Sequence, residues 1–167
     1  MNTQQINTFI VKKEEKSITM ERSFSAPLDP VWAAWTEADI LCKWWAPAPW
    51  TCVIKSLDFR EGGRWHYAMQ SPEGERHWSY FHYETIRPKT FYAGRDGFCD
   101  EKGVPNEGRP SAKWENRFSE GAGKTIVHIT ISFSTAEEVE QILKMGFKEG
   151  MQQDFRQLDE LLAALKH

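Results

Sequence analysis

The chain has 167 residues, 40% hydrophobic and 27% charged, with a formal net charge of -3. That length sets one domain with a real core, and the near-neutral charge without a basic run excludes a general nucleic-acid binder. Eight Trp and ten Phe exceed what a minimal core uses, and surplus rings are found lining cavities and interfaces.

Residues 1–17 are polar and lack the apolar segment of a signal peptide, so they read as a partly loose extension before a single domain over 18–167. No apolar run is long enough to insert in a membrane. Cys42, Cys52 and Cys99 form no CxxC pair, which fits a reducing cytoplasm and gives neither a disulfide framework nor a zinc site.

A first strand is expected over Ile18–Ala26. Asp29 with Pro30 behind it predicts a helix start that turns Val31, Trp32 and Trp35 to the core. A second short helix runs from about Glu37 to Trp45 and stops before Pro47. Strands follow at Thr51–Asp58, Gly63–Gln70, Glu75–Arg87, Thr90–Asp96, Ala112–Ser119 and Lys124–Ser134. In the last, Val127, Ile129, Ile131 and Phe133 alternate with polar residues, the period of a sheet with one buried face.

Thr135 and Glu138 then form a capping box. Leu143, Phe147, Met151, Phe155, Leu158, Leu162 and Leu165 continue as the stripe of one long amphipathic helix. Gly146 and Gly150 interrupt it, marking a bend, a close approach to the sheet, or simple tolerance of glycine. Apolar face and apolar stripe must cover each other, which gives an α+β domain.

Several motifs stand in a telling order. They are Ala26-Pro27-Leu28-Asp29-Pro30-Val31-Trp32, Lys43-Trp44-Trp45-Ala46-Pro47 and Asp58-Phe59-Arg60-Glu61-Gly62-Gly63-Arg64-Trp65. Ser71-Pro72-Glu73-Gly74, Tyr83-Glu84-Thr85-Ile86-Arg87-Pro88 and Gly146–Leu165 complete them. Over residues 18–166 this resembles the START-like, helix-grip (SRPBCC) superfamily, and within it the bacterial single-domain homologues of the heat-shock-protein-ninety ATPase activator. The resemblance implies a curved antiparallel sheet of six to seven strands, two short helices after the first strand, a long C-terminal helix, and a hydrophobic pocket between sheet and helix. Two positions depart from the family pattern: Thr85 stands where a glutamate is usual, and a single Pro88 replaces a double proline.

Turn chemistry sets the pocket's register. Pro72 and Gly74 suit a type I turn followed by a left-handed residue, so Ser71 pairs with Glu75. A one-residue slip would flip the second strand. Trp65, Tyr67, Met69, Phe81 and Tyr83 then face inward, with Trp114, Asn116 and Phe118 from a later strand and Phe147 and Met151 from the helix. A fully packed core without a cavity is the alternative. Asn116 needs a partner there: Tyr67, Tyr83, a water or a ligand group. His66, His82 and His128 are expected outside and solvated. Trp78 and Tyr80 share that outer face, to be covered by Phe9–Val11 or by weak self-association of an otherwise monomeric chain. Residues 96–110 are a candidate lid.

Catalytic and metal motifs are lacking. The His residues have no metal-site spacing, Gly62-Gly63 is a tight turn rather than a phosphate loop, and Asp58, Arg60 and Glu61 read as an ion pair. No cofactor is implied. The leading expectation is a binding protein for a small hydrophobic or lipid-like molecule. A cyclase-like enzyme would have to use Tyr67, Tyr83, His77 and Asn116, with Ser79 a lesser polar candidate. The third alternative, taken from the resemblance, is a module that stimulates a chaperone ATPase.

Overall fold

The computed structural model describes residues 7–165. In chain order they form strands β1 (Thr8–Lys12) and β2 (Ser17–Phe24), then helices α1 (Leu28–Thr36) and α2 (Ala38–Leu41). Strands β3 (Thr51–Leu57), β4 (Arg64–Gln70), β5 (Arg76–Arg87), β6 (Phe91–Phe98), β7 (Ala112–Gly121) and β8 (Lys124–Phe133) follow, and helices α3 (Ala136–Lys144) and α4 (Phe147–Leu165) close the chain. The strands make one unclosed, curved antiparallel sheet in the order β1-β2-β8-β7-β6-β5-β4-β3.

The sheet has eight strands rather than six to seven. The additional one is β1, which pairs with β2 from Thr8↔Glu21 to Lys12↔Ser17, so part of the 1–17 extension is an ordered edge strand. The looseness expected of residues 1–6, and His167, lie outside the described residues. Phe9 and Val11 pack on the inner face, with the Phe9 ring 6.3 Å from Phe147, and so do not cover the outer aromatics.

Local signals were modified by tertiary partners at both helical regions. The N-cap of α1 is Pro27, not Asp29, and the Leu28 N–H donates to the Glu120 carboxylate of β7 at 3.0 Å. Asp29 instead pairs with Lys89 at 2.9 Å. The second helix shrinks to Ala38–Leu41, and Trp44 beyond it is fully buried with its Nε1–H donating to the Ala34 carbonyl at 2.9 Å. At the C-terminal end the capping box forms as its residues dictate, Glu138 N–H to Thr135 Oγ1 at 3.1 Å with the carboxylate returning to the Thr135 N–H at 3.3 Å. The single long helix is in fact two. Gly146 takes a left-handed φ of +87°, which ends α3 before α4 starts at Phe147.

The stripe of α4 packs on the inner sheet face. Phe155 is fully buried, 5.7 Å from Phe24 of β2 and 6.2 Å from both Trp35 of α1 and Trp44. Alongside, Arg22 of β2 points inward and makes a bidentate pair with Asp159 of α4, at 2.9 and 2.7 Å. The Arg22 side chain is 2% exposed, so the pair ties sheet to helix in a dry setting.

Removing one partner from a buried pair costs more than replacing both. Asp159→Ala is therefore expected to lose about 3 kcal/mol in urea unfolding, and the double variant Arg22→Met/Asp159→Leu to recover most of it. A loss below about 1 kcal/mol for the single variant would show that the pair carries no such role.

Candidate functional site

The site begins at the turn after β4. Gly74 at φ +92° donates its N–H to the Ser71 carbonyl at 2.9 Å, and Ser71 N–H donates to the Glu75 carbonyl at 2.8 Å. This fixes Met69↔His77, Tyr67↔Ser79 and Trp65↔Phe81 as cross-strand pairs, the register that the turn chemistry dictates. At the other end of β4, Gly62 has φ +86°, and any Cβ on Gly63 would collide with the Asp58 carbonyl. Arg60 pairs with Asp58 at 2.6 Å, while Glu61 accepts the Ile86 N–H at 3.0 Å.

On the inner face the rings are fixed by hydrogen bonds as well as contact. Trp65 and Tyr67 stack at 4.0 Å, and Trp45 donates Nε1–H to the Tyr67 hydroxyl at 3.2 Å. Trp114 of β7 donates Nε1–H to Asp96 of β6 at 2.8 Å. Between this wall and the α3–α4 elbow lies a cavity of about 260 Å³. Its apolar lining includes Trp45, Tyr67, Met69, Trp114, Ile131, Phe133, Phe147 and Met151. Exposed Met145 and the half-exposed His77, which pairs with Glu75 at 2.9 Å, stand at its rim.

Two carboxyl groups line the same cavity. Asp96 accepts from Trp114 and from the Ala112 N–H at 3.0 Å; burial nonetheless raises its pKa to about 6, against the opposing pull of those donors. Asp154 of α4 is 3% exposed, and its Oδ1 has no hydrogen-bond partner among the described residues. Burial pushes its pKa up to about 9, so it is protonated at neutral pH. Burial also pushes Tyr67 upward, keeping the phenol neutral, and raises the nearby Cys52 thiol of β3 to about 12.

The ten inward candidates divide into three groups. Tyr67, Met69, Trp114, Phe147 and Met151 line the cavity. Trp65, Phe81 and Asn116 line a small inner void of about 20 Å³, bounded also by Trp35 and Tyr92. Trp45, Tyr67, Asp96 and Trp114 border both spaces. Tyr83 and Phe118 line neither. Tyr83 packs against Phe59 at 4.9 Å and Phe118 against Trp32 at 4.9 Å, because α1 and the segment before β4 fill that end of the sheet. Asn116 Oδ1 has no partner among the described residues, and neither expected tyrosine reaches it.

Other expectations are corrected by the outer face. His66 is 7% exposed, not solvated; its Nε2 meets the Asp100 carbonyl at 3.1 Å. Lys55 donates to the Glu101 carbonyl at 2.7 Å on the same side. Of the segment 96–110, Asp96, Gly97 and Phe98 belong to β6 and line the cavity together with Pro110, while the stretch around Asp100 and Glu101 is pinned to the outer face. Cations cover the outer aromatics, with Arg64 4.3 Å from the Tyr80 ring and Lys55 5.8 Å from Trp78. The four groups suggested for a cyclase do not all converge: Tyr67 borders both spaces, His77 lines the cavity alone, Asn116 the inner void alone, and Tyr83 neither.

Sequence reasoning missed Trp45, Asp96 and Asp154. Two of these had a periodic signal. Asp154 sits on the stripe of Met151, Phe155, Leu158 and Leu162, and Asp96 shares an alternation with inward Tyr92. An acid at a core-facing position is the informative exception. Trp45 lies in a loop, where no period operates.

A family model, Activator of Hsp90 ATPase homolog 1-like protein, matches residues 25–163. Among solved structures, the chain is similar to a protein of Mycobacterium smegmatis, at 28% identity, covering 94% of this chain and 96% of that one with a TM-score of 0.86. A solution structure from Arthrobacter aurescens matches at 26% identity, 95% and 92% coverage and a TM-score of 0.89. A Silicibacter pomeroyi protein at 20% identity and a TM-score of 0.70, covering 90% of this chain and 99% of that one, shares the fold. No curated protein matches by sequence. No helix among the described residues is long and apolar enough to cross a membrane.

Asp154 makes stability fall with pH. Its folded pKa of about 9 lies above the unfolded carboxyl value of about 4, so the folded state holds the extra proton and loses that advantage as pH rises between them. Asp154→Asn removes the titration. Urea unfolding is expected to show the variant gaining on the parent by up to about 1.4 kcal/mol per pH unit from pH 5 to 8. Parallel curves for the two proteins would show that Asp154 is not buried as described.

Proposed function

We propose that this chain, which belongs to the Activator of Hsp90 ATPase homolog 1-like family, binds a small, largely apolar molecule in the cavity between its sheet and the α3–α4 elbow. The observation that carries the reading is the cavity of about 260 Å³ walled by Trp45, Tyr67, Trp114, Phe147 and Met151. Its size lies just under the roughly 300–1,000 Å³ range of drug-sized ligand pockets, which points to a compact ligand rather than a long-chain lipid. Trp45 and Trp114 are held by hydrogen bonds to Tyr67 and Asp96, so the wall is preformed and costs little to order on binding. Affinity comes from apolar burial, at about 25 cal/mol per Å² covered, and orientation comes from the few polar groups.

Stimulation of a chaperone ATPase, which the family's description carries, is a separate reading. The chaperone's hydrolysis rate with and without the chain measures it separately.

Native mass spectrometry of protein purified from cells, with tryptophan-fluorescence titration of a panel of small apolar alcohols and amines, tests the binding reading. Trp45 and Trp114 are expected to report a saturable change. Ser79→Phe, which adds a ring to the cavity floor, should weaken it about tenfold or more while the circular dichroism spectrum is retained. No co-purified ligand and no saturable response from any member of the panel would sink the reading.

A further inference from the structure

The cavity's polar lining is mainly acidic, with His77 at the rim already paired to Glu75. Asp96 and Asp154 line it, with the hydroxyls of Tyr67 and Ser79, and no Lys or Arg is among the lining residues. Asp154 Oδ1 is an acceptor without a protein donor among the described residues. The donors available to Asp96 come from Trp114 and Ala112, and it is the more readily ionised of the two acids. A carboxylate-bearing ligand would meet the Asp96 carboxylate, with no Lys or Arg among the described lining residues to receive it. A ligand with N–H donors and positive charge would complete the unpartnered oxygen and complement the field. The adjoining Trp45, Tyr67 and Trp114 faces add cation–π attraction in a desolvated setting.

We propose that the ligand of this cavity is a small hydrophobic amine, seated with its alkyl or aromatic body between Trp114, Phe147 and Met151 and its ammonium group on Asp154. This rests on the cavity-binding reading and specifies the chemical class that the cavity selects. Asp154 holds a proton in the unliganded protein at neutral pH because burial disfavours its charge. An ammonium ion supplies the missing counter-charge, so Asp154 ionises on binding and its proton leaves to solvent; no bond to carbon is made or broken. The other titratable groups facing this region are Asp96 of β6, Tyr67 of β4, Cys52 of β3 and, at the rim, His77 of β5. Tyr67 and Cys52 stay protonated through neutral pH, and their burial is the cause. Asp96 contributes a standing negative charge once the pH exceeds its own raised value.

Phenethylamine and 2-phenylethanol are a matched pair that differ in charge at nearly constant shape. Calorimetric titration of the full chain at pH 7 is expected to show the amine binding at least about tenfold more tightly. Repeating it in buffers of different ionisation enthalpy is expected to show about one proton released per amine bound and none for the alcohol. Asp154→Asn preserves shape and should abolish the proton release and reduce the amine-to-alcohol affinity ratio severalfold, the part owed to Asp96 and the rings remaining. Equal affinities in the parent, no proton release with the amine, or an affinity ratio undiminished in Asp154→Asn would each overturn the proposal while leaving apolar binding intact. Binding of neither probe, with no response from the wider panel, would overturn the cavity reading and this proposal with it.

Discussion

Burying the stripe of α4 is the constraint from which the rest of the molecule follows. The inner face of β2, β8 and β7 presents Met20, Phe24, Ile129 and Phe118 with almost no exposure, and an open sheet cannot shield such a face alone. The helix supplies Phe155, Leu158 and Leu162, and Trp35 and Trp44 close the sides of the Phe155 site. Apolar contact is non-directional and fixes which surfaces meet. The bidentate Arg22–Asp159 pair, directional and dry, fixes how the helix lies along them.

The same arrangement makes the cavity. A continuous helix would carry its stripe straight across the sheet. The left-handed Gly146 breaks it, and the elbow of Met145, Gly146 and Phe147 lines the cavity, with the Phe147 ring 6.2 Å from Trp114 of β7 and 6.3 Å from Phe9 of β1. The rings beneath cannot collapse into the remaining space. Trp114 is held at Asp96, Trp45 at Tyr67, and Tyr67 is stacked on Trp65. Aromatic rings with polar handles are stiff and anchored, whereas a wall of Leu or Met would repack toward the gap.

Asp154 is the consequence of placing an acid on the gripping helix. It travels with Met151 and Phe155 to the interior, and its burial is enforced by the favourable burial of its neighbours. The resulting pKa of about 9 is an energetic burden on the folded state with no compensating partner among the described residues. A buried acid of this kind, lining a cavity, is a functional-site candidate. Its place in one lining with Asp96, where no Lys or Arg stands among the described lining residues, gives an apolar pocket a chemical preference.

Much of the architecture was legible in the chain. The alternation of β8, the Thr135–Glu138 box, and the Ser71–Gly74 turn each act over a few residues, and the β4–β5 register followed from the turn without reference to the remainder of the fold. Edge strand β1 and the Glu120 cap on α1 were not legible in that way, because each depends on a partner remote in sequence, and the bend at Gly146 was one of three readings of that glycine until its backbone angle decided among them. The site divides similarly. Period and register placed Tyr67, Met69, Trp114, Phe147 and Met151 on the inner face, but could not separate cavity from packed core, so Tyr83 and Phe118 looked equivalent to them. Side-chain direction is set by local backbone period, so which residues turn inward can be read along the chain. Where those side chains fail to touch cannot be read that way, because a gap is a property of several elements meeting and belongs to none of them.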